Sequence, residues 1–161
     1  MKRYLIPAVI VALLAGFVVW WLSPVQVVTR RTKSLLSAMT LQEGRGKASS
    51  TLSVYSLNPL IAKELILETP TISQANGTFD RSEIESGFSW LANQGKFTKF
   101  KIEELRSVTI NGDRATVDAK IEGVVVLSEM RPADGLYDVE LDWIREDDGW
   151  RLSKAKWIEA R

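Results

Sequence analysis

The sequence predicts an α+β domain, a curved antiparallel sheet covered by about three helices and preceded by one transmembrane helix. Three observations carry this prediction. Polar–apolar alternation fills the last third of the chain, Lys101 to Trp157, and reads as four consecutive antiparallel strands. Helix-opening signals stand at Ser23-Pro24 and at Asp80-Arg81-Ser82-Glu83, each followed by apolar residues at helical spacing. The stretch from Tyr4 to Leu22 holds no charged residue.

At about 1.5 Å of rise per residue, Tyr4 to Leu22 is long enough to cross most of a hydrocarbon core. Tyr4 at one end and Trp20 and Trp21 at the other suit the two interfacial belts. Met1-Lys2-Arg3 would also serve as the positive region of a signal peptide, which makes a secreted soluble domain the rival reading. No small-x-small cleavage site follows Trp20-Trp21-Leu22, so an uncleaved anchor is expected. Lys2 and Arg3 abut the apolar run directly, whereas Arg30 comes well beyond it. The expected product is a single-pass membrane protein: residues 1–23 form a cytoplasmic tail and transmembrane helix, and residues 24–161 an extracytoplasmic domain, periplasmic in a bacterium.

Ser23 is placed as an N-cap, with Pro24 at the first helical position and Gln26 set to close a capping box. The helix that follows runs to about Leu41 and turns Val28, Leu35, Leu36 and Met39 to one side. Arg30, Arg31 and Lys33 fall mostly elsewhere, where they either meet anionic lipid heads or form a solvated face. A weaker helix is expected from Ala48 to Leu57, stopping at Asn58-Pro59. Leu60 to Leu67 fits helix or strand equally. Thr69-Pro70-Thr71-Ile72-Ser73 reads as a short edge strand, because its proline cannot donate to a central ladder, and Asn76-Gly77 turns the chain. The acidic capping box at Asp80 opens a helix with Ile84, Phe88 and Leu91 on one face, ending near Gly95, and Gly87 would allow close approach to the sheet.

Phe100 to Ile110 alternates, Asn111-Gly112 makes a hairpin turn, and Arg114 to Glu122 puts Ala115, Val117, Ala119 and Ile121 on one face. A loop near Met130 to Gly135 leads to a strand with Tyr137, Val139, Leu141 and Trp143 inward, and Asp147-Asp148-Gly149 turns into the last strand. Keeping both Leu152 and Trp157 inward requires a one-residue slip near Lys154, a bulge that bends the sheet.

With 161 residues, 45% hydrophobic and 25% charged, the chain suits one domain plus an accessory element. Its net charge of +1 shows no basic surplus, so nucleic acid is not an expected partner. The absence of cysteine excludes disulfides, thiol catalysis and thiolate metal sites, and histidine is absent too. Neither cofactor nor metal is expected. Glu140, Asp142 and Glu146 to Asp148 lack the spacing of a calcium loop and read as a solvated acidic turn.

The motifs Asn111-Gly112-Asp113-Arg114-Ala115-Thr116-Val117 and Trp143-Ile144-Arg145-Glu146-Asp147-Asp148-Gly149-Trp150-Arg151-Leu152, with the element order across Pro24 to Ile158, resemble the nuclear-transport-factor-2-like superfamily. That resemblance implies a cystatin-like cone, with helices across the concave side of the sheet and a pocket between them. Enzymes and binding or assembly modules share the fold, so it does not fix function. The superfamily's isomerases use acids in an apolar pocket. Here the inward residues of the last two strands, Tyr137, Val139, Leu141, Trp143, Leu152 and Trp157, include no acid, and Asp118, Asp138 and Asp142 fall on the outer face. Dehydratases of this fold use histidine. No catalytic residue is therefore expected.

One charged pair complicates this reading. Glu104 and Arg106 share the alternation of Phe100, Ile102, Val108 and Ile110. Either they enter the pocket, to hold a polar ligand or do acid–base work, or a bulge at Glu103-Glu104 turns both to solvent. The pocket candidates are Tyr55, Trp90, Glu104, Arg106, Tyr137, Trp143 and Trp157. The expected role is a membrane-anchored, non-catalytic binding or scaffold module, similar in plan to the inner-membrane scaffold subunit of type IV secretion systems. The alternative is a small-molecule-binding protein or a cyclase- or isomerase-like enzyme using Glu104 and Arg106. Besides the membrane, the expected partners are another protein, through the apolar run Val124 to Leu127, or a second copy, through the polar outer face that carries Lys101, Glu103, Arg114 and Lys120.

Overall fold

The computed structural model describes residues 13–41, 55–70, 75–127 and 133–160. An apolar helix α1 (Leu13–Trp21) is followed by α2 (Pro24–Met39), the two axes bent by 55°. Residues 55–57 are helical and pass into a tight 3-10 turn, Asn58–Leu60, which opens β1 (Ile61–Glu68). Then come β2 (Gly77–Asp80), α3 (Arg81–Gln94), β3 (Gly95–Asn111), β4 (Arg114–Leu127), β5 (Ala133–Glu146) and β6 (Gly149–Glu159).

The six strands form one sheet in the order β2-β1-β6-β5-β4-β3. The expected antiparallel meander is its β3 to β6 half, but the sheet as a whole is mixed, because β1 runs parallel to β6. That pairing joins residues some ninety positions apart, such as Ile61 and Leu152, and no local pattern announces it. Leu60 to Leu67, undecided from periodicity, is mostly strand. Its burial shifts partway along because the register with β6 slips between Ile61 and Ile66. Of the strand expected at Thr69 to Ser73, Thr69 and Pro70 follow β1 outside any strand and residues 71–73 lie outside the described residues, while Gly77–Asp80 forms an edge strand of the sheet.

The hairpin between β3 and β4 closes one residue later than an Asn-Gly turn would. Asn111 pairs with Arg114, so Gly112 and Asp113 are the loop, with Gly112 at φ +60 and no positive φ at Asp113. Glycine first and a negative φ second is the arrangement of a type II′ turn. The slip foreseen near Lys154 is present: Trp143 faces Leu152 and Asp142 faces Lys154, leaving Ser153 as the extra residue. On β3, two further slips leave Glu103 and Arg106 unpaired in register.

Buried residues of α2 (Val28, Leu35, Leu36), β4 (Val117, Ile121), β5 (Leu141, Trp143) and β6 (Trp150, Leu152) meet in one core, joined by Leu57, Leu65 and Phe88. Val28, Leu35 and Leu36 lie on the buried face expected for a covering helix. Met39 packs at its margin. The capping box at Ser23 does not form, since no side chain caps α2, although Pro24 does occupy the first turn. At its other end α2 is fastened to β3: the Leu41 N–H donates to the Thr98 carbonyl at 2.9 Å, and Thr98 Oγ1 donates to the Met39 carbonyl at 2.7 Å. The box at Asp80 forms in full. Glu83 N–H donates to Asp80 Oδ1, and Asp80 N–H donates to Glu83 Oε2, both at 2.9 Å.

The apolar run Val124 to Val126 pairs with β3 on one edge, and Val124 and Val125 pair with β5 on the other, while the three side chains stay half-buried. Among the described residues no single helix is long and apolar enough to cross a membrane. Leu13–Trp21 and Pro24–Met39 reach that length only together, across their bend. The first part of the expected spanning segment, residues 4–12, and most of the helix expected from Ala48 lie outside the described residues.

Candidate functional site

A cavity of about 420 Å³ lies between α2, α3, β1 and the concave side of β5 and β6. Leu35, Leu36 and Met39 enclose it from α2, Ile61 and Leu65 from β1, and Ile84, Phe88 and Leu91 from α3, while Leu141, Leu152, Ala155 and Trp157 form its floor. Ile84, Phe88 and Leu91, read from the sequence as one face of the helix, share that face and form a wall of the cavity. Gly87 borders the same space, and a Cβ there would meet nothing within 4 Å, so it does not mark close helix–sheet approach.

Among the described residues Glu83 is the only ionisable side chain lining the cavity, and its carboxylate is committed to the cap of α3 through the Asp80 N–H. An apolar wall of this size with a single occupied carboxylate can exclude water and hold a hydrocarbon group. Among the described residues no second titratable group lines it to exchange a proton with Glu83. Among the described residues no cluster of acids is arranged to hold a metal ion. The acidic turn at Glu146 to Asp148 is engaged by Arg151, whose Nε lies 3.0 Å from Glu146 Oε2 and whose Nη2 pairs with Asp148.

The expected pocket residues separate into groups. Trp157 lines the cavity, and Tyr137 and Phe100 both meet it edge-on, with ring centres 5.8 and 5.9 Å from its own. Gly123 and Gly135 sit directly opposite each other on β4 and β5 and leave room for these rings. A Cβ at Gly135 would come within 3.3 Å of Tyr137, and one at Gly123 within 3.4 Å of Phe100. Trp143 is sealed in the core at 0% exposure, away from the cavity lining. Tyr55 and Trp90 face outward, 72% and 58% exposed.

Glu104 and Arg106 do not enter the cone. The bulges at Glu103 and Arg106 rotate them to the outer face, where Arg106 Nη2 stands 2.6 Å from Asp138 Oδ1 and its Nε 3.6 Å from Glu104. The bulge alternative weighed from the sequence is the arrangement found.

Sequence reasoning missed Arg151 as an organiser. Nearly buried, it donates from Nη1 to the carbonyls of Asn58 at 2.9 Å and Ile61 at 3.2 Å while pairing with Glu146 and Asp148, so it ties β6 to the start of β1. The guanidinium holds the Asp148 carboxyl below the usual carboxylate range, and Asp148 in turn raises the Arg151 pKa. Its only signal was a charge in the otherwise apolar run Trp150-Arg151-Leu152. Arg31 joins the same corner by donating to the Pro59 carbonyl at 2.9 Å.

No family model matches the chain, and comparison with curated proteins finds no relative. Solved structures do match. A nuclear transport factor 2 (NTF2-like) superfamily protein from Salmonella enterica aligns with TM-score 0.63 at 12% identity, covering 84% of this chain and 90% of that one. An NTF2-like protein from Cytophaga hutchinsonii aligns at TM-score 0.60 and 16% identity, over 83% and 96% of the two chains. The CaMKII hub of S. rosetta aligns at 0.62 and 18%, over 86% and 98%. At such identities the likeness is one of fold.

Proposed function

We propose, starting from a chain with the nuclear-transport-factor-2-like fold, that this protein is a non-catalytic binding module. It takes a small apolar molecule in its cone and is held at a membrane by its N-terminal helix, with residues 24–161 as the extracytoplasmic domain. The observation that carries the binding role is the cavity itself: about 420 Å³, walled by aliphatic and aromatic side chains, with the one carboxylate among its described lining residues spent on a helix cap. The charged pair that an isomerase-like or cyclase-like mechanism would need stands on the opposite face of the sheet.

The membrane part of the reading is supported by α1. Every residue from Leu13 to Leu22 is exposed, including Phe17, Trp20 and Trp21, whose ring centres lie 5.8 to 6.4 Å apart. An exposed apolar helix of this kind is unfavourable in water and favourable in a bilayer, with tryptophans at the headgroup level.

The test is organic extraction and mass analysis of the chain purified from membranes in mild detergent, beside a Gly87→Leu variant that fills the cavity. The reading expects an apolar molecule enriched in the wild type and depleted in the variant. Equal lipid content in both would refute binding in the cone.

A further inference from the structure

The bend between α1 and α2 fixes which face of α2 looks at the membrane. If α1 rises through a bilayer, α2 leaves its end at 55° to it, and the concave side of that bend faces down toward the headgroups. Arg30 marks that side. From almost two turns into α2 it reaches back to place its guanidinium carbon 4.3 Å from the centre of the Trp21 ring. Lys33 and Ser37 continue the same stripe at one-turn spacing, opposite the buried Val28, Thr32, Leu35 and Leu36.

This stripe is basic and unneutralised. The sixteen residues of α2 hold Arg30, Arg31 and Lys33 but no acid. Arg31 is withdrawn to the Pro59 carbonyl, whereas Arg30 and Lys33 have no ion-pair partner among the described residues. Beyond Ser37 the face continues into a shallow depression shared with Thr40 and Lys101, whose ammonium is paired with Glu103 at 2.6 Å. In a chain of net charge +1, this places Arg30, half-buried on the Trp21 ring, and the exposed Lys33 beside the tryptophans of the apolar helix.

We infer that the Arg30–Lys33 face of α2 docks on anionic phospholipid headgroups of the same bilayer that α1 enters, so that the domain lies against the membrane instead of swinging from a tether. This rests on the membrane reading above. An average helix tilt of about 20° toward the concave side would bring α2 closer to the membrane plane.

The chain has no cysteine, so Ser37→Cys gives a single labelling point on this face and Thr109→Cys one on the exposed outer sheet. The full-length labelled chains are reconstituted into phosphatidylcholine vesicles with and without phosphatidylserine, and quenching by a headgroup spin-labelled lipid is read. The Ser37 label should be quenched about threefold more in the anionic vesicles, and high salt should abolish the difference. R30Q/K33Q should abolish it too, while the charge-conserving R30K/K33R keeps it and the Thr109 label shows none. Equal quenching in both vesicles, or a contrast that survives R30Q/K33Q, overturns docking. Loss of the chain from floated vesicles after an alkaline carbonate wash would instead overturn the anchoring it depends on.

Discussion

Arg106 Nη2 lies 2.6 Å from Asp138 Oδ1 across the outer face of the sheet, with the Glu104 carboxylate 3.6 Å from its Nε. Both partners are part-exposed, the Arg106 side chain 40% and that of Asp138 37%. Exposed pairs contribute at most about 1 kcal/mol each. Glu104→Gln and Arg106→Gln should therefore change unfolding free energy by less than that, and leave the bound apolar molecule in place. A loss of ligand in either variant, measured by extraction and mass analysis, would put the pair back among the pocket residues.

Gly87 sits inside α3 with open space where a side chain would go. Replacing it with alanine removes the backbone entropy penalty of glycine without a clash. Gly87→Ala should stabilise the chain by about 0.5–1 kcal/mol, visible as a higher thermal midpoint in mild detergent. Destabilisation would mean that α3 lies closer to the sheet than described.

Arg151 serves two carbonyls and two carboxylates at once. Arg151→Met would leave the carbonyls of Asn58 and Ile61 without their donor. A loss of about 2–4 kcal/mol is expected, at the lower end because Asp148 is largely solvated and its share is screened. Chemical denaturation followed by tryptophan fluorescence measures it.

The same corner carries a pH dependence of definite sign. Arg151 depresses the folded-state pKa of Asp148, and the hydroxyl of Ser82 with the amide of Glu83 depresses that of Asp80. A carboxyl with a depressed folded pKa contributes stability that is fully present above the unfolded value, about 3.9, and lost as pH falls through the folded value. Asp148→Asn should flatten the stability profile below about pH 4. Asp80→Ala should do the same and also lower stability through the lost cap, whereas Asp80→Asn, which still accepts the Glu83 amide, should retain most of that stability. Equal acid profiles in wild type and Asp148→Asn would contradict the assignment.

What the sequence made legible was local. Alternation placed β4 and β5, the slip before Lys154 gave the bulge at Ser153, and Asp80-Arg81-Ser82-Glu83 gave a capping box that forms. What stayed hidden was non-local. The parallel pairing of β1 with β6 joins segments some ninety positions apart and leaves no periodic trace, and β1 supplies Ile61 and Leu65 to the cavity wall. The aromatic trio of Phe100, Tyr137 and Trp157 depends on facing glycines at positions 123 and 135, on strands whose register had to be known first. Glu104 and Arg106 were undecidable because each bulge reverses the face of everything beyond it.

The binding claim is tested most directly by methyl NMR of the full chain in nanodiscs titrated with decanol. Saturable shifts are expected at the methyls of Leu65, Ile84, Leu91 and Leu152, which line the cavity, with none at Thr109 on the outer face. In Gly87→Leu the same methyls should stay unmoved. Shifts confined to α1, or cavity methyls that ignore the probe in the wild type, would contradict a ligand-binding cone.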